Sequence, residues 1–409
     1  MLSVTEARER IISHFQPVAS ESLPLIECAN RVLAVDVAAA HDVPIFDNSS
    51  MDGFALRAVD STTASRVTLR VVADVPAGAT PTAILAQGES ARIMTGAPMP
   101  AGADAVIPVE DTDFNSREAG TVAPPTVSFA RIVAVGENVR PRGMDMRAGD
   151  VVLRKGRVLK PQDLGLLAAL GVAQVEIYKK PRVALLSSGD ELLDVDAPLT
   201  AGKIYDSNSY ALNALIQNEG AEVLRLGVAK DARASVENLL QKAIDANVDL
   251  IISSAGVSVG AFDFVKEVIE AQGSLDFWRV NMRPGKPLAF GEYRGKPFIG
   301  LPGNPVSAFV GFEVFVRDAL ARLSGQALKG GVERGRRIKV ICGEQIESDG
   351  RESYLRAKIR EENGSYIAEL TGHQGSGNLL SLTLADALLI IPAGVKCVPV
   401  NQKMDAILL

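Results

Sequence analysis

Between Pro181 and Leu320, short apolar runs alternate with segments whose apolar residues recur at helical spacing, and a polar or glycine-bearing turn follows most of the runs. The pattern predicts a strand at Arg182–Ser188 running into Gly189, Asp190 and Glu191, then a helix at Ser207–Asn218 stopped by Gly220. A strand at Ala221–Leu226, a helix at Ala232–Ala246 and a strand at Asp249–Ser253 follow, and the last runs straight into SSAGVSVG at Ser253–Gly260. Next come a helix at Ala261–Ala271, a strand at Asp276–Asn281, the turn MRPGKP at Met282–Pro287 and a hairpin over 288–300. Leu301, Pro302, Gly303, Asn304 and Pro305 then open a last helix. In open parallel sheets, ligands sit beyond the carboxyl ends of the strands. Those ends carry the glycines, serines and charges here, so this unit is expected to form an active-site wall.

The flanks have other textures. Residues 3–16 predict an amphipathic helix with Val4, Ala7, Ile11 and Phe15 on one side, and Leu23–Ala40 a helical turn followed by a strand. His41–Leu56 is turn chemistry, dense in oxygen donors (Asp47, Asn48, Ser49, Ser50, Asp52); a solvated loop and a ligand cluster both fit. Val67–Val135 consists of short β-like pieces between Gly and Pro turns, which reads as an inserted, mostly β domain. In Glu137–Lys155, Arg140, Arg142 and Arg147 interleave with Asp145 and Asp150, as either a salt-bridged turn or an anion clamp containing a metal-binding carboxylate. A short helix at Val158–Gly171 and a strand at Val172–Tyr178 lead back to the central unit. Beyond the Gly/Lys/Arg-rich segment Gly325–Arg336, strands are expected at Arg337–Cys342, Tyr354–Arg360, Tyr366–Leu370, Ala387–Ile391 and Lys396–Pro399, making a C-terminal β domain. The fold class is therefore α/β multidomain.

Composition narrows the function. At 409 residues the chain exceeds one ordinary core, and two to four domains is the natural expectation. A net charge of −6 leaves no footprint for non-specific nucleic-acid binding. Three scattered cysteines without a CxxC exclude a disulfide framework and fit a reducing compartment. With no membrane-length apolar run and no signal-peptide core at the N-terminus, a cytoplasmic protein is expected.

The strand-end loops supply Asp190 and Glu191, then Ser253, Ser254 and Gly256, then Arg283 and Lys286. Such carboxylates want hydroxyls, amines or a divalent ion; glycine and serine at a helix start can lend backbone N–H groups to a phosphate. Basic side chains nearby would offset an anionic substrate. Neither GxxxxGK[ST] nor GxGxxG is present, which speaks against a P-loop NTPase and a Rossmann oxidoreductase. His14, His41 and His373 lack ligand or triad neighbours. By themselves these residues describe an enzyme handling an oxyanion or phosphate with a hard cation, or merely a tight helix entry.

Eight segments in order make the reading specific: DNSSMDGFAL (47–56), MTGAPMPAGADAVIP (94–108), RPRGMDMRAGD (140–150), SSGDEL (187–192), IYDSNSYAL (204–212), SSAGVSVGAFDF (253–264), MRPGKPLAFG (282–291) and GLPGNPVSAFVGFEVFV (300–316). Together they resemble the molybdopterin molybdenumtransferases, the MoeA family that includes the gephyrin E domain. The resemblance implies a molybdenum insertase that takes adenylylated molybdopterin from an upstream molybdopterin adenylyltransferase, accepts molybdate, and releases AMP and molybdenum cofactor with Mg²⁺. It implies an elongated homodimer, with molybdoenzymes or their chaperones as further partners. Its active cleft would form between the central domain of one subunit and the N-terminal portion of the other. The implied organisation is a discontinuous N-terminal domain (1–45 with 136–178), an inserted β domain (46–135), a central three-layer α/β domain of the molybdopterin-binding type (179–324) and a C-terminal β domain (325–409).

The same resemblance assigns catalytic carboxylates to Asp52, Asp145, Glu191, Asp231 and Asp263, with Glu191, Asp231 and Asp263 as metal ligands. It assigns substrate binding to Thr95, Ser188, Gly189, Ser254, Gly256, Ser258, Gly260, Arg279, Arg283, Lys286, Pro302, Asn304 and Pro305. Arg279, Arg283 and Lys286 would bind molybdate and neutralise phosphate; arginine at the first two positions, where some members have lysine, exchanges a point charge for a planar fork. Pro302, Asn304 and Pro305 also suit a plain helix entry and cap. Ala255 stands where the family commonly has glycine, and a left-handed turn there would strain it. A molybdopterin adenylyltransferase and a non-catalytic molybdopterin-binding scaffold are the alternatives; the full length and the MDG and RPRG segments weigh against the first, the intact acidic set against the second.

Overall fold

The computed structural model describes residues 1–61, 65–114, 121–255, 264–327 and 336–409. The chain divides into two compact units, residues 1–35, 155–168 and 172–409, and residues 36–154 with 169–171.

The larger unit is built on a six-stranded sheet in the order Glu222–Ala229, Arg182–Ser188, Leu250–Ser254, Lys296–Leu301, Pro287–Tyr293, Gly273–Arg279. The first four strands are parallel, and the last two join antiparallel. The parallel strands read as nearly unbroken apolar runs because helices cover both faces. On one face Val183, Leu185, Leu250 and Ile252 pack with Leu212 and Ile216 of Ser207–Asn218 and with the N-terminal helix residues Val4, Ala7 and Ile11. On the other, Ala184, Leu186 and Ile251 meet Val236 and Leu240 of Arg233–Asp245 and Val265, Val268 and Ile269 of Phe264–Gln272. Each such aliphatic side chain contributes about 1.5–3 kcal/mol when fully buried, which is what fixes this three-layer arrangement. The chain leaves Arg182–Ser188 toward one side of the sheet and returns from Glu222–Ala229 to Leu250–Ser254 on the other. The strand order therefore reverses between Arg182–Ser188 and Leu250–Ser254, the place where such sheets open a ligand crevice.

Two differences from the sequence pattern have local causes. The edge strand begins at Gly273, three residues before the expected start. Gly273 looks like a helix stop, yet a Cβ there would lie 1.9 Å from the Glu292 carbonyl oxygen, so glycine serves the close approach of Pro287–Tyr293. The last central helix is also irregular: Pro305–Gly311 and Arg317–Leu323 are α-helical, and Phe312–Val316 between them is a π-helical turn.

At the C-terminus of this unit, Glu352–Glu362, Ser365–Leu370, Arg337–Cys342, Lys403–Leu408 and Ala387–Ile391 pair in that order, and Ala387–Ile391 pairs back with Glu352–Glu362. The sheet thus closes into a small barrel without free edges. Lys403–Leu408, the closing strand, escapes the sequence reading, as does the short helix Leu379–Thr383. Met282–Arg283 adds to the barrel alongside Glu352 and Ser353.

The smaller unit is β-rich. Ala105–Pro108, Gly53–Leu56, Glu89–Ile93, Val67–Val75 and Thr126–Phe129 form a five-stranded sheet in that order. Phe54, Leu56, Leu69, Ile107 and Val127 fill one of its cores, Ala55, Val75, Ala91, Ile93 and Val106 the other, as strand alternation requires. Two short pairs, Asn48–Ser49 with Val139–Arg140 and Val37–Ala38 with Val151–Leu153, tie the turn-rich segments to it. Among the described residues no helix is long and apolar enough to cross a membrane.

Candidate active site

In the larger unit the site begins at the carboxyl ends of the strands flanking the order reversal. After Arg182–Ser188 the chain turns through Gly189, whose φ of +147° is open to glycine. A Cβ there would lie 2.5 Å from Oε2 of Glu191, so the missing side chain is what lets the Glu191 carboxylate fold back over the turn. The Gly189 N–H donates to the Ala229 carbonyl at 3.1 Å, joining this turn to the end of the neighbouring strand. There Asp190 and Asp231 accept hydrogen bonds from each other's backbone N–H groups, at 3.2 and 3.4 Å. Glu191 and Asp231 thus stand on two stitched turns. Ser188 is buried behind them.

A cavity of about 360 Å³ opens beside these turns, lined by Glu191, Tyr205, Asn208, Ser254, Asn304 and Pro305 among others. The Ser207–Asn218 helix presents its first turn to it, capped by Asp206, whose carboxylate accepts from Ser209 N–H at 3.1 Å. Ala255 lies on its wall with φ at +71°, in the left-handed region that favours glycine. Alanine in that conformation carries about 1 kcal/mol of strain. Ala255→Gly is therefore expected to leave stability unchanged or raise it by up to about 1 kcal/mol, the gain partly offset by the freer unfolded chain; urea denaturation measures it.

A second cavity, of about 330 Å³, is lined by Arg283, Lys286, Asn304, Ser307, Arg351, Arg356, Gln374 and Ser376, and by no carboxylate among the described residues. Asn304 lines both cavities. The basic set is only partly neutralised: Asp349 lies outside the lining and pairs with Arg351, and more loosely with Arg283 at 3.8 Å. Arg356 is the unusual member. It is fully buried, and among the described residues its guanidinium donates only to neutral oxygens: Ser381 Oγ at 3.1 Å, and the Gly375 and His373 carbonyls at 3.0 and 3.4 Å. Its Nη1 has no partner among the described residues. Gln374 grips the Arg356 backbone, accepting from its N–H at 2.9 Å and donating to its carbonyl at 3.1 Å, so the side chain is aimed from a fixed main chain. Burial first, and the Arg283 charge second, pull its pKa below the ordinary arginine value. A buried cation without a counter-ion is costly, and an anion in the cavity would remove that cost.

Arg279 stands elsewhere. It lines a wider hollow of about 540 Å³ with Met1, Leu2, Glu6, Phe277 and Lys286, so Lys286 faces both this hollow and the Arg356 cavity. Pro302 is buried at the end of Lys296–Leu301; Asn304 stands at the N-cap position of Pro305–Gly311 without a side-chain capping bond, Pro305 starts the helix, and this entry also lines both cavities. Gly256, Ser258, Gly260 and Asp263 lie outside the described residues.

The smaller unit carries Asp52, Thr95 and Asp145. Asp52 Oδ1 accepts from both the N–H and the hydroxyl of Thr95, each at 2.7 Å, so the two act as one constellation. Asp145 pairs with Arg140 at 2.6 Å. Arg142 donates from its backbone to Asp47 at 2.7 Å and from Nε to Asp42 at 2.5 Å. These pairs are a salt-bridged turn, and they occupy much of the oxygen cluster of His41–Leu56. Among the described residues no three His, Cys, Asp or Glu side chains gather as a metal cage.

Arg356 and Asn208 were not singled out from the sequence. The signal for Arg356 was an arginine inside the β-run YLRAKI at a position facing inward.

Three family models match the chain in succession: the MoeA N-terminal region (domain I and II) over 2–171, the "Probable molybdopterin binding domain" over 184–322, and the MoeA C-terminal region (domain IV) over 339–409. A Haemophilus influenzae protein named molybdopterin molybdenumtransferase is 41% identical over 80% of this chain and 78% of its own length. Molybdopterin molybdenumtransferase 2 of Mycobacterium tuberculosis is 37% identical over 99% of both chains. A solved molybdopterin biosynthesis MoeA protein from Pyrococcus horikoshii superposes with a TM-score of 0.83 at 31% identity, covering 100% of each chain.

Proposed function

The chain belongs to the MoeA family of molybdopterin molybdenumtransferases, and from that premise we propose that it inserts molybdenum from molybdate into molybdopterin delivered as its adenylate, releasing AMP. The observation that carries the substrate reading is the pair of cavities meeting at Asn304. The cavity beside Glu191 offers polar side chains and a helix N-terminus and takes the pterin end of the substrate. The neighbouring one offers Arg283, Lys286, Arg351 and the unpaired Arg356 Nη1, a set that suits a tetrahedral dianion such as molybdate. Asn304, shared by both, brings the oxyanion alongside the pterin's ligating end.

Hard oxygen donors on the Gly189–Glu191 and Asp231 turns fit Mg²⁺ of the kind that keeps its waters and leans on substrate phosphate, rather than a closed protein cage. Glu191 and Asp231 would hold it, with Asp263 as a further ligand. When bound, the ion neutralises the pyrophosphate-like linkage and polarises its phosphoryl oxygens. On the smaller unit, Asp52, held by Thr95, and Asp145 are the carboxylates we assign to orienting water for cleavage of that linkage. Arg279 and Lys286 offset the phosphate charge. We place the enzyme in the cytoplasm as a homodimer, supplied by a molybdopterin adenylyltransferase. Light scattering is expected to give twice the 43.3 kDa chain mass.

The deciding experiment is molybdate insertion into adenylylated molybdopterin by purified protein with Mg²⁺, comparing the native chain with Asp52→Ala and Glu191→Ala. AMP release coupled to active cofactor, reduced about 100-fold or more in both variants, is the expected outcome. Tight pterin binding without AMP release in any cation tested would leave a carrier and remove the enzyme reading.

A further inference from the structure

Asn208 has no role in the chemistry above, yet it is the most constrained polar side chain of the Glu191 cavity. It sits second in the Ser207–Asn218 helix and is 9% exposed. Its Nδ2 donates to Ser254 Oγ and to the Gly303 carbonyl, each at 2.8 Å. The side chain therefore ties together three turns: the helix start, the end of Leu250–Ser254, and the segment before Asn304.

The Gly303 bond also fixes which way the amide faces. A carbonyl only accepts, so the nitrogen must point at Gly303 and the oxygen away from it. Among the described residues, Oδ1 receives no hydrogen bond, while the side chain lines the cavity. With Nδ2 committed to two acceptors, Oδ1 is the atom of this side chain left to bond a ligand in the cavity. The Glu191 carboxylate on the same wall is a second acceptor. Two acceptors on one wall favour a ligand edge that carries N–H groups.

We propose that Asn208 is a positioning residue whose Oδ1 accepts a hydrogen bond from the amino-bearing edge of the substrate's aminopyrimidinone ring. Its Nδ2 meanwhile holds the two turns at the spacing that the ring requires. The inference rests on the assignment of this cavity to the pterin and adds the group that reads the ring's donor edge. Substrate orientation then follows from one side chain: with the amino edge at Asn208, the opposite end of the bicycle is directed along the wall toward Asn304 and the oxyanion cavity.

The test uses the full chain and two fluorescent rings, 6-hydroxymethylpterin and its 2-oxo counterpart 6-hydroxymethyllumazine, which lacks the exocyclic amino group. The native protein is expected to prefer the pterin by about tenfold or more, since a site built to accept an N–H rejects an analogue without it. Asn208→Ala is expected to bring the ratio close to one. Asn208→Asp, which keeps an acceptor oxygen but sets another against the Gly303 carbonyl, is expected to weaken both rings while preserving the preference. A brace with no ligand contact would weaken both rings equally and leave the ratio unmoved in Asn208→Ala; that result overturns the proposal and spares the pterin assignment. Binding of neither ring by the native protein overturns the pterin assignment, and this inference with it.

Discussion

Arg356→Met is expected to cripple molybdate use while leaving the fold as stable as before, or more so. Most buried arginines behave otherwise, because truncation strands the carboxylate that they neutralise. Among the described residues Arg356 has no such partner: the three acceptors around its guanidinium are a serine hydroxyl and two carbonyls, and Nη1 has none. The folded chain alone bears an uncompensated charge in a cavity already lined by Arg283, Lys286 and Arg351. Methionine approximates the length, removes the charge and fills the space with an adaptable apolar chain. The released acceptors border a cavity large enough for water, so their loss is offset there. Stability from urea denaturation is expected to stay level or rise by about 1–2 kcal/mol. Activity moves the other way. A charge-assisted contact to an anion contributes about 1.5–3 kcal/mol, so kcat/KM for molybdate is expected to fall roughly 10–200-fold, expressed mainly in KM. A destabilised Arg356→Met protein with an unchanged molybdate KM would show that the guanidinium holds the barrel together and binds no substrate anion.

The sequence was most legible where one periodicity held without interruption. Arg182–Ser188, Ser207–Asn218, Arg337–Cys342 and Ala387–Ile391 have the bounds that their apolar patterns predict. Local pattern fails where the deciding partner lies far along the chain. Gly273 reads as a stop because its reason, the Glu292 carbonyl, is nineteen residues away in sequence and hydrogen-bonded alongside. Lys403–Leu408 is missed because three of its positions are Lys403, Asp405 and Ala406, weak strand formers that become a strand only by filling the gap between Arg337–Cys342 and Ala387–Ile391. The site shows the same division. Motifs named the carboxylates and the basic turn, whereas Arg356 stands out for the bond that its Nη1 lacks among the described residues and Asn208 for the two distant turns that its Nδ2 joins, and only a folded neighbourhood reveals either. The Asp52 and Thr95 pairing lies between the two: both residues stand out in the sequence, but their union through Oδ1 needs 43 residues of chain to fold back.

Glu313→Gln should have the reverse signature of Arg356→Met, a large loss of stability with the chemistry intact. Glu313 is 4% exposed, in the π-helical turn Phe312–Val316, and is the single acid of an apolar stretch. It accepts from Arg317 Nη2 at 2.6 Å and Nε at 2.9 Å, and from Arg336 Nη1 at 3.3 Å. Arg317 is shared with the buried Glu219. Burial pulls the Arg336 pKa down and Glu313, the largest opposing influence, lifts it, so this carboxylate offsets the cost of burying the arginine's charge. The π turn gives the helix one extra residue in its register, which sets Glu313 between an arginine four residues on and one at the start of the C-terminal segment. Replacing the acid by its neutral amide leaves two half-buried arginines with Glu219 as the remaining carboxylate of the network among the described residues. Breaking a buried pair from one side costs about 3–5 kcal/mol, so the urea midpoint should fall steeply while KM for molybdate, measured well below the transition, keeps its native value. Replacing Glu219, Glu313, Arg317 and Arg336 together by apolar residues should recover much of that loss, because the desolvation of all four charges goes with them. Loss of molybdate affinity in folded Glu313→Gln protein would instead show that the network controls the oxyanion cavity through the helix that begins at Asn304.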